Sequence, residues 1–281
     1  MNPEKADTGA RSARAQALNV DELPRAPGVY IFHGQADDLP LYIGKSVNVR
    51  ARVQSHLRNP DEARMVRQIT RISHLRTAGE IGALLLEARF IKEQHPLFNQ
   101  KLRRNRHLCS WRLDAGGKPE VVYSKDIHFA TTPDLYGLYA SRHAALEGLR
   151  ALADANQLCY GALGLEQTVV GRGCFRSMLR QCAGVCCGRE SEAQHQRRLR
   201  GALDALRVAC WPYPGAVGLV EHWAPDSWTQ IHVVRNWCYL GSVSDTPDAA
   251  ALDRPSAAFD ADGYKILCQP MLTGAVKLIE L

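Results

Sequence analysis

Two tyrosines, three basic side chains, one carboxylate and one amide fall between residues 30 and 99 in an order that suits phosphodiester hydrolysis. Tyr30 and Tyr42 each lie two residues from a glycine, in Gly28-Val29-Tyr30 and Tyr42-Ile43-Gly44. Lys45, Arg52 and His56 follow, then Glu87 and Asn99. The set contains a ligand for a hard divalent cation, charges that hold a phosphate, and groups able to move a proton. Singly, each residue has an ordinary use in a hairpin core, on a helix surface or in an ion pair. Their joint occurrence points to a nuclease.

A second set is made of sulfur. Cys159, Cys174, Cys182 and Cys186 are separated by 14, 7 and 3 residues, and four thiolates from one segment can hold zinc or a [4Fe–4S] cluster. Cys187 adjoins Cys186 and could exchange with it. Disulfides are not expected from nine cysteines in a chain without a secretory signal, an odd number for a cytoplasmic setting. Cys109, Cys210, Cys238 and Cys268 read as buried packing residues.

The elements that must position these groups are legible in outline. Gly28 to Phe32 and Leu41 to Ile43 are β-branched and aromatic, with turn residues between them, which predicts a hairpin that brings the two tyrosines together. Ser46 is placed to cap a helix carrying Val49, Val53 and Leu57, on which Arg52 and His56 share a face. Asn59 to Glu62 starts another helix, and a short strand is expected near His74–Thr77. Ile81 to Gln94 predicts a helix stopped by Pro96, with Ile81, Leu84, Leu85, Ala88 and Ile91 on one face and Leu86 and Phe90 on the other. A helix apolar on two sides is a buried helix, and Glu87 within it needs a cation, a metal or a proton. Strands near 107–113 and 120–124, helices over 142–156 and 189–207, and an α+β ending complete the pattern.

Charge supports a polyanionic partner. Residues 41–110 hold 14 Lys/Arg against 5 Asp/Glu, while the chain as a whole is only +6. Arg50, Arg103, Arg104 and Arg106 in this stretch are candidates for DNA phosphate contacts, and residues 101–106 read as a basic linker. No apolar run reaches the ~18 residues of a membrane span. Residues 1–20 are polar and read as a disordered tail.

The blocks Leu23 to Tyr30, Tyr42 to Ser46, Ala83 to Glu87 and Pro96 to Asn99, in order and at matching spacing, resemble the GIY-YIG endonucleases in the branch of the bacterial excision-repair nuclease UvrC. The first block reads Gly-Val-Tyr where the family usually has Gly-Ile-Tyr, and His56 stands where UvrC-like members often carry tyrosine. The resemblance implies an α+β architecture: a tail (1–20), a nuclease domain with a small antiparallel sheet flanked by helices (21–103), strands and helices with a cysteine cluster segment (104–210), and a small C-terminal α+β domain (211–281). It implies one Mg²⁺ or Mn²⁺ on Glu87, Tyr42 as general base with Tyr30 positioning it, Arg52 on the phosphate, Lys45 at the water or phosphate and lowering the tyrosine pKa, and Asn99 as a brace. His56 is left as a proton relay, a leaving-group contact or a partner of Tyr30. Free tyrosine ionises near ~10, so a base near neutrality needs about 4 kcal/mol of differential stabilisation.

The same resemblance implies a [4Fe–4S] cluster on the cysteine quartet, with zinc as the alternative. It also implies incision on the 3′ side of a bulky lesion in double-stranded DNA, by a monomer working with UvrB after loading by UvrA. This chain lacks the ribonuclease-H-like and helix-hairpin-helix parts of UvrC and matches a shorter homologue. Trp211, Trp223, Trp228 and Trp237 make the last domain a candidate UvrB dock. The rival readings are an autonomous restriction- or homing-type nuclease, which the cysteine quartet opposes, and a nuclease-dead adaptor, which the intact Tyr30, Tyr42, Arg52 and Glu87 oppose.

Overall fold

The structure, a computed structural model, describes residues 18–35, 39–99, 108–167 and 173–281. The chain divides into two compact units: Met1–Arg104 with Tyr213–Leu281, and Asn105–Pro212. Among the described residues no helix is long and apolar enough to cross a membrane.

The first unit begins with three antiparallel strands, β1 (Gly28–His33), β2 (Pro40–Ser46) and β3 (Arg71–Arg76), in the order β2-β1-β3. Alternation explains the layers, because successive side chains leave a strand on opposite faces. Tyr30 and Phe32 join Leu41, Val49, Val53, Met65, Val66 and Ile69 in one core. Val29 and Ile31 join Ile43 and Ile91 in another. The central strand β1 is thus buried on both sides. Helix α1 (Val49–Arg58) covers the tyrosine face. Its cap is Asn48, whose side chain accepts the Ala51 N–H at 3.0 Å, and not Ser46. Ser46 is the last residue of β2, and its hydroxyl accepts the Asn48 N–H instead. The helix expected from Asn59 is a 3-10 turn over Pro60–Glu62 followed by one short helix, α2 (Ala63–Val66). At the start, Val20 is 2% exposed and packs in the core, so the tail reading fails at its last residue; residues 1–17 lie outside the described residues.

Helix α3 (Glu80–Gln94) covers the opposite face of the sheet and ends at His95, which turns into the left-handed region before Pro96. Leu86, Phe90 and Ile91 pack on Val29, Ile31 and Ile43. Ile91 therefore shares a face with Leu86 and Phe90, not with Leu85 as helical periodicity suggested.

The second unit holds a sheet of β4 (Cys109–Leu113), β5 (Pro119–Tyr123) and β6 (Tyr136–Tyr139) in the order β5-β4-β6. β6 was not foreseen; its four residues are too few to show alternation. Helices α4 (Arg142–Ala155), α5 (Tyr160–Leu163), α6 (Phe175–Met178) and α7 (Glu192–Asp204) follow. Ser141 caps α4, and Ser191 with Gln194 forms a capping box on α7. Trp111, Leu149, Leu199 and Leu203 fill the core. Trp211 belongs to this unit and not to the last segment.

The chain then returns to the first unit with β7 (Val217–Trp223), β8 (Trp228–Arg235), β9 (Cys238–Val243), α8 (Thr246–Ala251), α9 (Ala261–Leu272) and β10 (Lys277–Glu280), an antiparallel sheet ordered β10-β7-β8-β9. This segment explains why α3 is apolar on two sides: Leu85 and Ala88 face Cys238, Tyr239 and Gly263 across a cavity. Glu221 on β7 ties the two parts together. Its carboxylate accepts the N–H groups of Ile81 at 2.9 Å and Gly82 at 2.8 Å, the first turn of α3. Its Oε2 also meets Nε2 of the buried His232 at 2.9 Å. Burial opposes ionisation of Glu221, but His232 and the two N–H groups outweigh it and hold the carboxyl below its usual range. Lys92 on α3 bridges Asp260 at 2.5 Å and Asp262 at 2.8 Å. Trp237 is fully buried, which removes it as a dock anchor; Trp223 and Trp228 are half-buried and paired across β7 and β8.

Candidate active site

The hairpin register puts Tyr30 opposite Gly44 and Phe32 opposite Tyr42. The two tyrosine rings lie diagonally on one face, their centroids 6.1 Å apart. Gly44 makes this possible, because a Cβ there would collide with the Tyr30 hydroxyl and the Tyr42 ring. His56 enters from α1, with its ring 5.5 Å from Tyr30 and 5.4 Å from Tyr42. Its Nε2 lies 2.6 Å from the Tyr30 hydroxyl, and its Nδ1 is hydrogen-bonded to Oε2 of Glu62. Arg52, one turn earlier on α1, stands near the Tyr30 hydroxyl and favours its ionised form. Of the three roles left open for His56, the structure shows the contact with Tyr30.

Glu87 reaches the hairpin from α3. Its Oε1 accepts the backbone N–H of Lys45 at 3.0 Å, on the residue after Gly44. The Lys45 ammonium pairs with Glu80 at 2.5 Å on the exposed rim. Asn99 holds the free edge of β2: its Oδ1 accepts the Ile43 N–H at 2.9 Å and its Nδ2 donates to the Ile43 carbonyl at 2.8 Å. The backbone N–H groups of Leu97 and Phe98 donate to Pro40 and Leu41, so the segment runs along that edge.

Electrostatics follow from burial. Burial and the neighbouring Tyr42 push Tyr30 well up, against the pull of Arg52. Burial, then the charge of Glu87, raises Tyr42, while Arg52 and the nearby Tyr30 hydroxyl lower it. Lys45 acts on Glu87, through its backbone N–H and its charge. Glu87 itself is raised by burial in spite of the Lys45 N–H and the charges of Lys45 and Arg52. A half-buried carboxylate beside phenolic oxygens, with a charge that burial disfavours, is a donor set a hard divalent cation fits.

Arg50 donates its Nε to the Leu23 carbonyl at 2.7 Å and is half-exposed. Arg103, Arg104 and Arg106, with the rest of the basic linker, lie outside the described residues. The residues that sequence reasoning missed are carboxylates. Glu62 was visible only as an acid in a helix first turn, Glu80 only as a helix start, and Glu221 gave no local signal.

In the second unit the sulfurs of Cys159, Cys174, Cys182 and Cys186 lie within 4.8 Å of one another. Cys174 is 3.7 Å from Cys159 and 3.5 Å from Cys182, and its N–H donates to the Cys186 sulfur at 3.2 Å. Burial pushes the Cys159 thiol up to about 12 and the Cys182 thiol to about 11. Cys187 is turned out of the group onto Ser177 and Arg189, at 3.2 and 3.3 Å, so it is not interchangeable with Cys186 as placed. The four thiols fit a four-thiolate metal centre. Cys109 is buried as expected, whereas Cys210, Cys238 and Cys268 are only half-buried.

Three family models match consecutive parts of the chain: the UvrC-like GIY-YIG domain at residues 26–100, the UvrC/Cho excinuclease middle domain at 108–205, and the excinuclease Cho C-terminal domain at 216–281. Excinuclease Cho of Escherichia coli (strain K12) is 56% identical over 262 residues, covering 93% of this chain and 88% of its own. The UvrABC system protein C of Geobacter sp. (strain M21) is 31% identical over 189 residues, 65% of this chain and 29% of its own. Among solved structures, the GIY-YIG N-terminal endonuclease domain of UvrC from Thermotoga maritima, bound to its catalytic divalent cation magnesium, is 31% identical and covers 31% of this chain and 93% of that one, with a TM-score of 0.27.

Proposed function

The chain belongs to the excinuclease Cho family of UvrC-like GIY-YIG endonucleases, and from that premise we propose that it cuts DNA on the 3′ side of a bulky lesion after UvrA has loaded UvrB there. It is a metal-dependent endonuclease of nucleotide excision repair. The observation that carries the site assignment is the meeting of three elements at one point: Tyr30 and Tyr42 of the hairpin cluster with Arg52 and His56 of α1, and Glu87 of α3 is bound to the β2 strand at Lys45.

In this reading Glu87 holds one Mg²⁺ or Mn²⁺. When bound, the cation supplies positive charge for the scissile phosphate and the leaving 3′ oxygen. Tyr42 takes the proton of the attacking water, and Tyr30, whose ring lies 6.1 Å from it on the same face, positions it. Glu87 raises Tyr42 only while its own charge is uncompensated, so a neutralised Glu87 makes Tyr42 a better base. Arg52 offsets charge that develops on the phosphate. Lys45 steadies Glu87, and Asn99 braces β2 at Ile43. Arg103, Arg104 and Arg106, with the free part of Arg50, contact DNA phosphates.

The cysteine quartet holds a structural metal centre. Family resemblance favours [4Fe–4S], and zinc, which four converging thiolates also hold, is the second reading. Visible absorption and metal analysis of anaerobically purified protein decide between them. The last segment docks UvrB, with the half-buried Trp223 and Trp228 as its aromatic candidates.

The experiment is strand-resolved cleavage of a duplex carrying one bulky adduct, in Mg²⁺, with and without UvrA and UvrB, and with Glu87→Ala beside it. A single 3′-side cut that requires both partners and Glu87 is expected. Partner-independent cutting would favour an autonomous nuclease, and absence of cutting by the intact protein would favour an adaptor.

A further inference from the structure

The hydrogen-bond chain that begins at Tyr30 continues through His56 to Glu62, a residue to which none of the catalytic roles above has been given. His56 is 3% exposed and makes a contact on each ring nitrogen: Nε2 with the Tyr30 hydroxyl at 2.6 Å, Nδ1 with Glu62 Oε2. An ionised carboxylate only accepts, so Nδ1 carries the hydrogen and a neutral ring presents its lone pair at Nε2. The Tyr30 hydroxyl is then the donor toward His56. Its oxygen keeps its lone pairs on the side where Arg52 and the Tyr42 ring stand.

We propose that Glu62 is a positioning residue that fixes the tautomer of His56, so that His56 Nε2 can only accept and holds the Tyr30 hydroxyl in place beside Tyr42. The inference rests on the roles proposed for Tyr30 and Tyr42. With the opposite tautomer Nε2 would carry a hydrogen and could accept nothing.

The ionisable groups facing His56 are Tyr30 from β1, Tyr42 from β2, Arg52 on its own helix and Glu62 from the next turn. Burial keeps the His56 pKa below its ordinary value even with Glu62 beside it, so the ring is neutral near pH 7, the state whose tautomer Glu62 selects. The Glu62 side chain is 31% exposed, outside the packed core, so its replacement is expected to leave the fold in place.

The test uses the full chain labelled with ¹⁵N-histidine, and reads the His56 tautomer from long-range ¹H–¹⁵N correlations assigned by their loss in His56→Asn. The expected wild-type pattern has hydrogen on Nδ1. Glu62→Ala should move the population toward hydrogen on Nε2 and lower the single-turnover incision rate about 100-fold, with the half-saturating concentration of UvrB-loaded DNA unchanged. Glu62→Asp should keep the Nδ1–H pattern and regain part of the rate. A wild-type spectrum with hydrogen on Nε2, or an unchanged rate in Glu62→Ala, would overturn the proposal. The wild-type spectrum needs no cleavage, so it judges Glu62 separately from Tyr42, whose role stands or falls with Tyr42→Phe.

Discussion

At the scale of single residues, most of what matters is where an oxygen or a ring is allowed to sit. Tyr42→Phe should nearly abolish incision in the strand-resolved assay while DNA binding stays at the wild-type level; retained turnover would remove Tyr42 as the base. Gly44→Ala should be almost as damaging without touching any reactive group. The added Cβ collides with the Tyr30 hydroxyl, and a shift near 1 Å in a reacting constellation costs about 100-fold. Comparing its incision rate with its melting temperature separates misplacement from unfolding. The catalytic letters were legible in the sequence because the hairpin is local: residues 28–46 carry their own turn, alternation and glycines. The partners of those letters were not. Glu62 pairs with His56 only because a 3-10 turn after α1 folds back, and nothing in Asn59 to Glu62 distinguishes that from a helix start.

At the scale of elements, the lesson lies in α3 and its coverings. Two apolar sides announced a buried helix, yet the sheet that covers one side and the distant segment that covers the other are joined to it only in three dimensions. Glu221, about 140 residues away, completes the first turn of α3. Glu221→Gln should lower stability by about 1–3 kcal/mol at pH 7, measured by denaturant unfolding. The pH dependence has a defined sign. The folded Glu221 pKa lies below its ordinary value, so its contribution is complete above about pH 4.3 and fades as pH falls through the folded pKa. The difference between wild type and variant should therefore shrink in acid. Asn99→Ala removes both hydrogen bonds that hold Ile43 on the free edge of β2. It should lower the incision rate more than it lowers the melting temperature, because the edge it releases carries Tyr42. Short elements escaped sequence reading for the opposite reason: β6 and α6 have four residues each, too few for any period to declare itself.

At the scale of the whole molecule, two units divide the chemistry between oxygen and sulfur. Cys174 touches Cys159, Cys182 and Cys186, so Cys174→Ala should reduce bound metal to background by elemental analysis. It should also lower the melting temperature of the second unit, since binding energy for a four-thiolate centre is folding energy. The tyrosine cluster and Glu87 belong to the other unit, and their hydrogen bonds should survive the change. The first unit has a consequence of its own, because it is assembled from two distant stretches of one chain. A ribosome delivers α3 about 120 residues before β7, which at 5–20 residues per second is a delay of roughly 6–24 s. During that interval the first N–H groups of α3 lack Glu221, and Leu85 and Ala88 lack their cover. The support for the helix that carries Glu87 thus arrives last, and a chain abandoned midway through translation is a poorer DNA cutter than a finished one.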